Sequence, residues 1–186
     1  MIRNRFSPAL VTVALAATAA GIALGAVAYA QRSPEHRGHA PAASAWPAHL
    51  VLTGVAVGWL LLAAARGRRR GVGLPALLTA PLRRRAAARL RLAAHGPRVI
   101  AAAPLVLLMA YDLTRAGAQV IGGLDPNFTA DAWGGPSYAG AMYCHYLDLG
   151  LLTALAATLL SRLVLPAPTF TTTLVGGHLD EHRSRA

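Results

Sequence analysis

Two pairs of ionisable residues stand in apolar surroundings at helical spacing: Asp112 with Arg115, and His145 with Asp148. The members of each pair are three residues apart, so both project from one face of a helix, and Gln119 continues the first stripe by another turn. A carboxylate, a guanidinium and an imidazole brought together can form a salt bridge, pass a proton or grip a polar ligand. Inside a bilayer an Asp or Arg is disfavoured by roughly 2.5 to 3.5 kcal/mol on insertion scales, so such residues turn inward and find partners.

Depth suggests which partners. Asp112 lies nine residues before Ile121, and Asp148 lies nine after Ala139. At ~1.5 Å per residue, two antiparallel helices place both carboxylates about 13 Å below the same surface. The expected result is one cluster of Asp112, Arg115, Gln119, His145 and Asp148, with the hydroxyls of Tyr111, Tyr143 and Tyr146 nearby. On a structural reading it is an internal salt-bridge network in which Arg115 neutralises the aspartates. On a functional reading it opens to the outer face and handles protons, a quinone head group or another polar small molecule. As a metal site it is short of ligands, because His145 and Asp148 supply two and Asp112 a third only if Arg115 turns away. A haem between His49 and His145 is disfavoured because His49 stands at the very start of its span. No metal is expected and no cofactor either, with haem and quinone the remaining candidates.

The elements that would carry these residues are four apolar stretches, at about 8–30, 48–65, 99–121 and 139–165. Each is near the ~20 residues that a bilayer core requires. With 186 residues, 55% of them hydrophobic and 13% charged, the chain suits an all-α, integral membrane four-helix bundle forming a single domain over 1–165. The first span has a competing reading as a cleaved signal peptide, since Arg3, Arg5, an apolar run and Ala28-Tyr29-Ala30 are the parts of one. Cleavage would leave three helices. Its apolar run, however, exceeds the ~7 to 15 residues of a signal core.

The net charge of +11 is carried by Arg alone, as there is no Lys. Ten of the 18 basic residues fall between Arg66 and Arg98, beside two spans, where the positive-inside rule expects them, and this argues against nucleic acid as a partner. The same rule makes 66–98 a cytoplasmic loop, places both termini in the cytoplasm and leaves 166–186 as a flexible cytoplasmic tail of a multi-pass cell-membrane protein, with Ala-rich, Lys-free composition hinting at a bacterial source. Within the loop, 81–95 is rich in Ala, Leu and Arg and should form a short helix. Arg83, Arg84, Arg85, Arg89 and Arg91 would then touch anionic lipid head groups. The segment 122–138, with Phe128, Trp133 and Tyr138, reads as a set of interfacial anchors or as a structured cap over the polar cluster.

Glycines suggest how the spans pack. Gly21 and Gly25 form a small-residue pair four apart in the first span, Gly54 and Gly58 another in the second, at matching depths. The simplest expectation is a tight hairpin of the first two spans along these four residues. The single cysteine, Cys144, forms no internal disulfide, so the fold stands on packing. No nucleotide loop, nucleophile elbow or zinc-protease motif is present, so no catalytic residue can be assigned and an enzyme is the minority view. The leading expectation is an accessory or structural component that associates with other membrane subunits. The alternative is a redox or transport component that uses the polar cluster.

Overall fold

The computed structural model describes residues 6–38, 45–79, 82–93 and 98–164, with the side chains of 77, 91–93, 98 and 164 excepted. Among the described residues seven helices run in chain order: α1 (Pro8–Ala30), α2 (Trp46–Arg69), α3 (Leu74–Leu78), α4 (Arg84–Ala93), α5 (Arg98–Gly122), α6 (Pro126–Thr129) and α7 (Tyr138–Val164). Four of them, α1, α2, α5 and α7, are long and apolar enough to cross a membrane. The fold is thus an all-α four-helix bundle, and the four apolar helices fit a multi-pass membrane protein.

Local chemistry explains the helix limits. Ser7 caps α1, its hydroxyl accepting from the Leu10 amide at 3.5 Å, with Pro8 next in the first turn where no amide hydrogen is needed. Pro47 plays the same part in α2, which begins two residues earlier than the apolar run suggested. Pro104 lies inside α5 without ending it, as membrane helices allow when neighbours satisfy the freed carbonyl. Thr18, Thr53, Thr114 and Thr158 each return their hydroxyl to the carbonyl four residues back, which removes a polar group from the lipid-facing surface.

Burial is inverted relative to a water-soluble protein. The long apolar side chains Leu15, Leu24, Val51, Leu61, Ile100 and Leu107 are exposed, while Gly21, Gly25, Ala102, Ala141, Ala156, His49, Asp112 and Gln119 are buried. In water this surface would aggregate, whereas in lipid the tails cover it at no cost and helices associate through small and polar residues.

In space the long helices follow the order α1, α5, α7, α2. The hairpin expected from Gly21, Gly25, Gly54 and Gly58 is absent. Gly21 and Gly25 press on the backbone of Thr114 and Ala118 in α5, and Gly117 presses back on Thr18 and Ile22, so α1 and α5 run parallel in near backbone contact. A Cβ on any of these three glycines would collide with a carbonyl of the facing helix. Around Gly54 and Gly58 the space is open. The first pair found its partner in Thr114, Ala118 and Gly122, a small-residue row at spacing four that fits the close-approach pattern equally well.

The two ends of the bundle are held by different bonds. At the Arg-rich end the Ser7 amide donates to the Leu82 carbonyl at 2.8 Å and Phe6 bridges to Arg83, which ties the start of α1 to the segment before α4. At the other end Asn127 binds Ser33 and Glu35 carbonyls through its amide and the Arg37 amide through its oxygen, so α6 anchors the chain that leaves α1. The expected helix in 81–95 is α4. The tail 166–186 lies outside the described residues.

Candidate functional site

The five residues singled out by spacing divide into four separate contacts: Asp112 with Thr153, Gln119 with His145, Arg115 with Tyr111 and Asp148 with His49. α5 and α7 are antiparallel, and their register sets Asp112 opposite Thr153 and Gln119 opposite His145. The Thr153 hydroxyl donates to Asp112 Oδ2 at 2.9 Å, while Gln119 Nε2 lies 3.1 Å from His145 Nδ1. Further bonds along the seam run from the Tyr146 hydroxyl to the Ala116 carbonyl and from the Tyr138 hydroxyl to the Val120 carbonyl. Asp112 and Gln119 are each 2% exposed and each keeps one side-chain oxygen without a hydrogen-bond partner, Asp112 Oδ1 and Gln119 Oε1.

The expected bridge from Asp112 to Arg115 does not form. Although three residues apart, the two point differently, Asp112 into the α5/α7 seam and Arg115 outward, where its guanidinium donates to the Tyr111 hydroxyl at 3.0 Å. Nor does Asp148 meet Asp112. The seam register shifts α7 relative to the even-depth alignment, so the residue level with Asp112 is Thr153, more than a turn beyond Asp148.

Asp148 instead turns to α2, where His49 Nε2 stands 3.3 Å from its Oδ2. The His49 Nδ1 is 2.9 Å from the Ala45 carbonyl, which can only accept, so Nδ1 carries a hydrogen. An imidazole lone pair would then face a carboxylate across the 3.3 Å contact unless one further proton sits between them. A hydrogen carried by either partner would close this contact as a hydrogen bond between α2 and α7. His49 is 2% exposed and Asp148 24%, so the pair is enclosed from the α2 side and reachable from the other.

Aromatic residues frame this contact. Trp46 stacks on Tyr143 with ring centroids 5.7 Å apart, Trp133 leans on His49 at 5.6 Å, and Phe128 meets His145 edge-on at 6.0 Å. Thr53 and Tyr143 share a short hydroxyl contact. The Ala45 amide donates to the Trp133 carbonyl, which fixes the 130–137 loop over the start of α2. Phe128 and Trp133 thereby act as the cap rather than as anchors alone. Trp46, His49 and Thr53, all in the first turns of α2, meet Tyr143 and Asp148 of α7, so the two helices cross in this one region. Beyond the crossing α2 diverges, with Gly54 and Gly58 uncovered.

Divergence leaves a cleft of about 610 Å³ between α2, α5, α7 and the loop. Its walls include Leu52, Tyr111, Arg115, Asp131, Trp133, His145, Asp148 and the leucines 149, 151 and 152. This volume lies within the ~300 to 1,000 Å³ of ordinary ligand pockets, which are mostly apolar with a few placed polar groups. Three of the five spacing-derived residues, Arg115, His145 and Asp148, line it; Asp112 and Gln119 do not. Spacing missed His49 as the partner of Asp148 and Thr153 as the partner of Asp112. Its position at the start of a span counted against His49, yet the crossing of α2 over α7 brings it level with Asp148.

Among the basic residues of the loop, Arg83 is drawn inward and donates to the Ala76 carbonyl at 2.6 Å. Arg84, Arg85 and Arg89 are exposed on α4, and Arg91 lies on the same helix. No group of three or more metal-binding side chains occurs among the described residues. Comparison with protein-family models, with curated proteins and with solved structures finds no match to this chain.

Proposed function

We propose that this protein is a membrane component that binds a small amphipathic molecule in the α2/α5/α7 cleft and exchanges a proton there. The observation that carries this reading is the cleft itself, an apolar space lined by Arg115, His145 and Asp148, the last in contact with His49. A network serving only as glue would have closed over its polar groups. Here neither aspartate is ion-paired to Arg115 among the described residues, and lipid makes a charged group without a partner costly.

In this reading the Arg-rich end, with Arg66, Arg68, Arg69 and Arg70 closing α2, faces the cytoplasm of a cell membrane, and the cleft opens toward the opposite side. Exposed Arg84, Arg85 and Arg89 on α4 rest against anionic head groups, each worth ~1 kcal/mol near such a surface. A second reading, an accessory subunit without a ligand, is supported by the uncovered Gly54 and Gly58 face of α2, which would admit a helix of a partner.

The test is purification of the full chain from its native membrane in mild detergent. Mass spectrometry and a visible spectrum of the wild type are set against those of Leu152→Trp, which fills the cleft. A small molecule retained by the wild type and lost from the variant is the expected result. Equal content in both, with a protein subunit co-purifying in each, would replace this reading by the accessory one.

A further inference from the structure

We propose that the ligand of the cleft is a single-chain amphiphile with an anionic head, bound by the Arg115 guanidinium with its chain along Leu149, Leu151 and Leu152. This rests on the cleft being a ligand site and adds the chemical class of what enters it.

Four ionisable groups line the cleft besides the tyrosine: Arg115, Asp131, His145 and Asp148. Asp148 is engaged by His49 Nε2 at 3.3 Å and forms no ion pair with Arg115 among the described residues. His145 has its Nδ1 engaged by the Gln119 amide. Asp131 belongs to the loop above the end of α5, whereas Arg115 lies seven residues, or about 10 Å, down that helix from Gly122. Arg115 is the arginine of the lining, and its side-chain hydrogen bond goes to the Tyr111 hydroxyl rather than to a carboxylate. A guanidinium offers five donors in a planar fork, a geometry matched by a carboxylate or phosphate group.

The apolar walls supply the other half. Leu52 from α2 and three leucines from α7 present hydrocarbon beside the guanidinium, and Leu152 and Tyr111 are exposed where the cleft meets the lipid side of the bundle. A small inorganic anion would leave this surface unused. An anionic head with one alkyl chain covers both, and its volume suits a space of about 610 Å³.

The full-length protein in phosphatidylcholine nanodiscs, at mildly alkaline pH, would be loaded with fluorescent dansylundecanoate. Displacement would then be followed with laurate, dodecanol and dodecyltrimethylammonium, which share a chain length and differ in head charge. Laurate is expected to compete about tenfold better than dodecanol, a margin of ~1.4 kcal/mol. Arg115→Gln should bring laurate down to the dodecanol level while leaving dodecanol unchanged, which also shows that the variant is folded. Arg115→Lys should keep part of the preference. The proposal is overturned if dodecanol competes as well as laurate, if the cation competes best, or if Arg115→Gln leaves laurate unaffected because the side chain reaches water instead. Absence of any probe binding, identical in wild type and Leu152→Trp, would be failure of the cleft reading itself.

Discussion

The α1/α5 seam and the α2/α7 crossing join helices of similar length and apolarity by opposite means. Along α1 and α5 the contact is backbone on backbone, made by Gly21, Gly25 and Gly117, and continuous over two turns. Where α2 meets α7 the contact is a single region of side chains, with the His49–Asp148 contact, a hydroxyl pair and stacked aromatics. The first leaves no room for a ligand and little freedom to move. The second leaves a cleft and hangs one of its walls on a few polar bonds. Without a hydrophobic force between helices in lipid, small residues give permanence and polar residues give contacts that protonation or a ligand can alter.

The difference can be broken most severely at the seam. Gly21→Leu or Gly117→Leu forces a side chain into a facing carbonyl that cannot move aside, at a cost beyond the ~1 to 3 kcal/mol of ordinary overpacking. Loss of monodisperse protein on size-exclusion chromatography is expected, while Gly54→Leu and Gly58→Leu, with open space around both glycines, should elute as wild type. Equal damage from all four would mean that α2 is packed as tightly as α1.

A smaller effect is expected at the crossing. His49→Ala leaves Asp148 without its partner and should lower stability by about 1 to 3 kcal/mol in detergent unfolding. Spin labels on Leu62 and Leu159, in a Cys144→Ala background, should also report a broader α2 to α7 distance distribution. An unchanged distribution would show that the aromatic frame alone holds α2. Removing one hydroxyl of the Thr53 contact by Tyr143→Phe should cost only ~0.6 kcal/mol, the average for a side-chain hydrogen bond in a bilayer.

Least of all is expected from Asp112→Asn. Paired with Arg115, Asp112 would be needed for folded yield; bonded to Thr153, its amide replacement still accepts the same hydroxyl, and the change should stay within about 0.5 kcal/mol. A large loss of yield would restore the salt bridge that the geometry denies.

Much of this molecule was legible in one dimension. A long apolar run has one way to satisfy its backbone in lipid, so composition and length alone define four helices, and their observed limits differ from the runs by a few residues. Local spacing likewise identified Arg115, His145 and Asp148 as polar residues that require company. Which company was not legible. Glycine depth matched Gly21 and Gly25 equally well to α2 and to the Thr114, Ala118 and Gly122 row of α5, and sequence adjacency favoured the wrong one.

What the sequence determined by itself was therefore the set of helices, their alternation across the bundle and the residues that lipid would not tolerate unpaired. The tertiary structure decided the order of the helices in space, the register that gives Thr153 rather than Arg115 to Asp112, and the crossing that joins His49 to Asp148. The reason is physical. Helix formation in lipid is decided by each segment's own backbone hydrogen bonds, whereas pairing depends on which two surfaces fit, and that is a property of both surfaces at once.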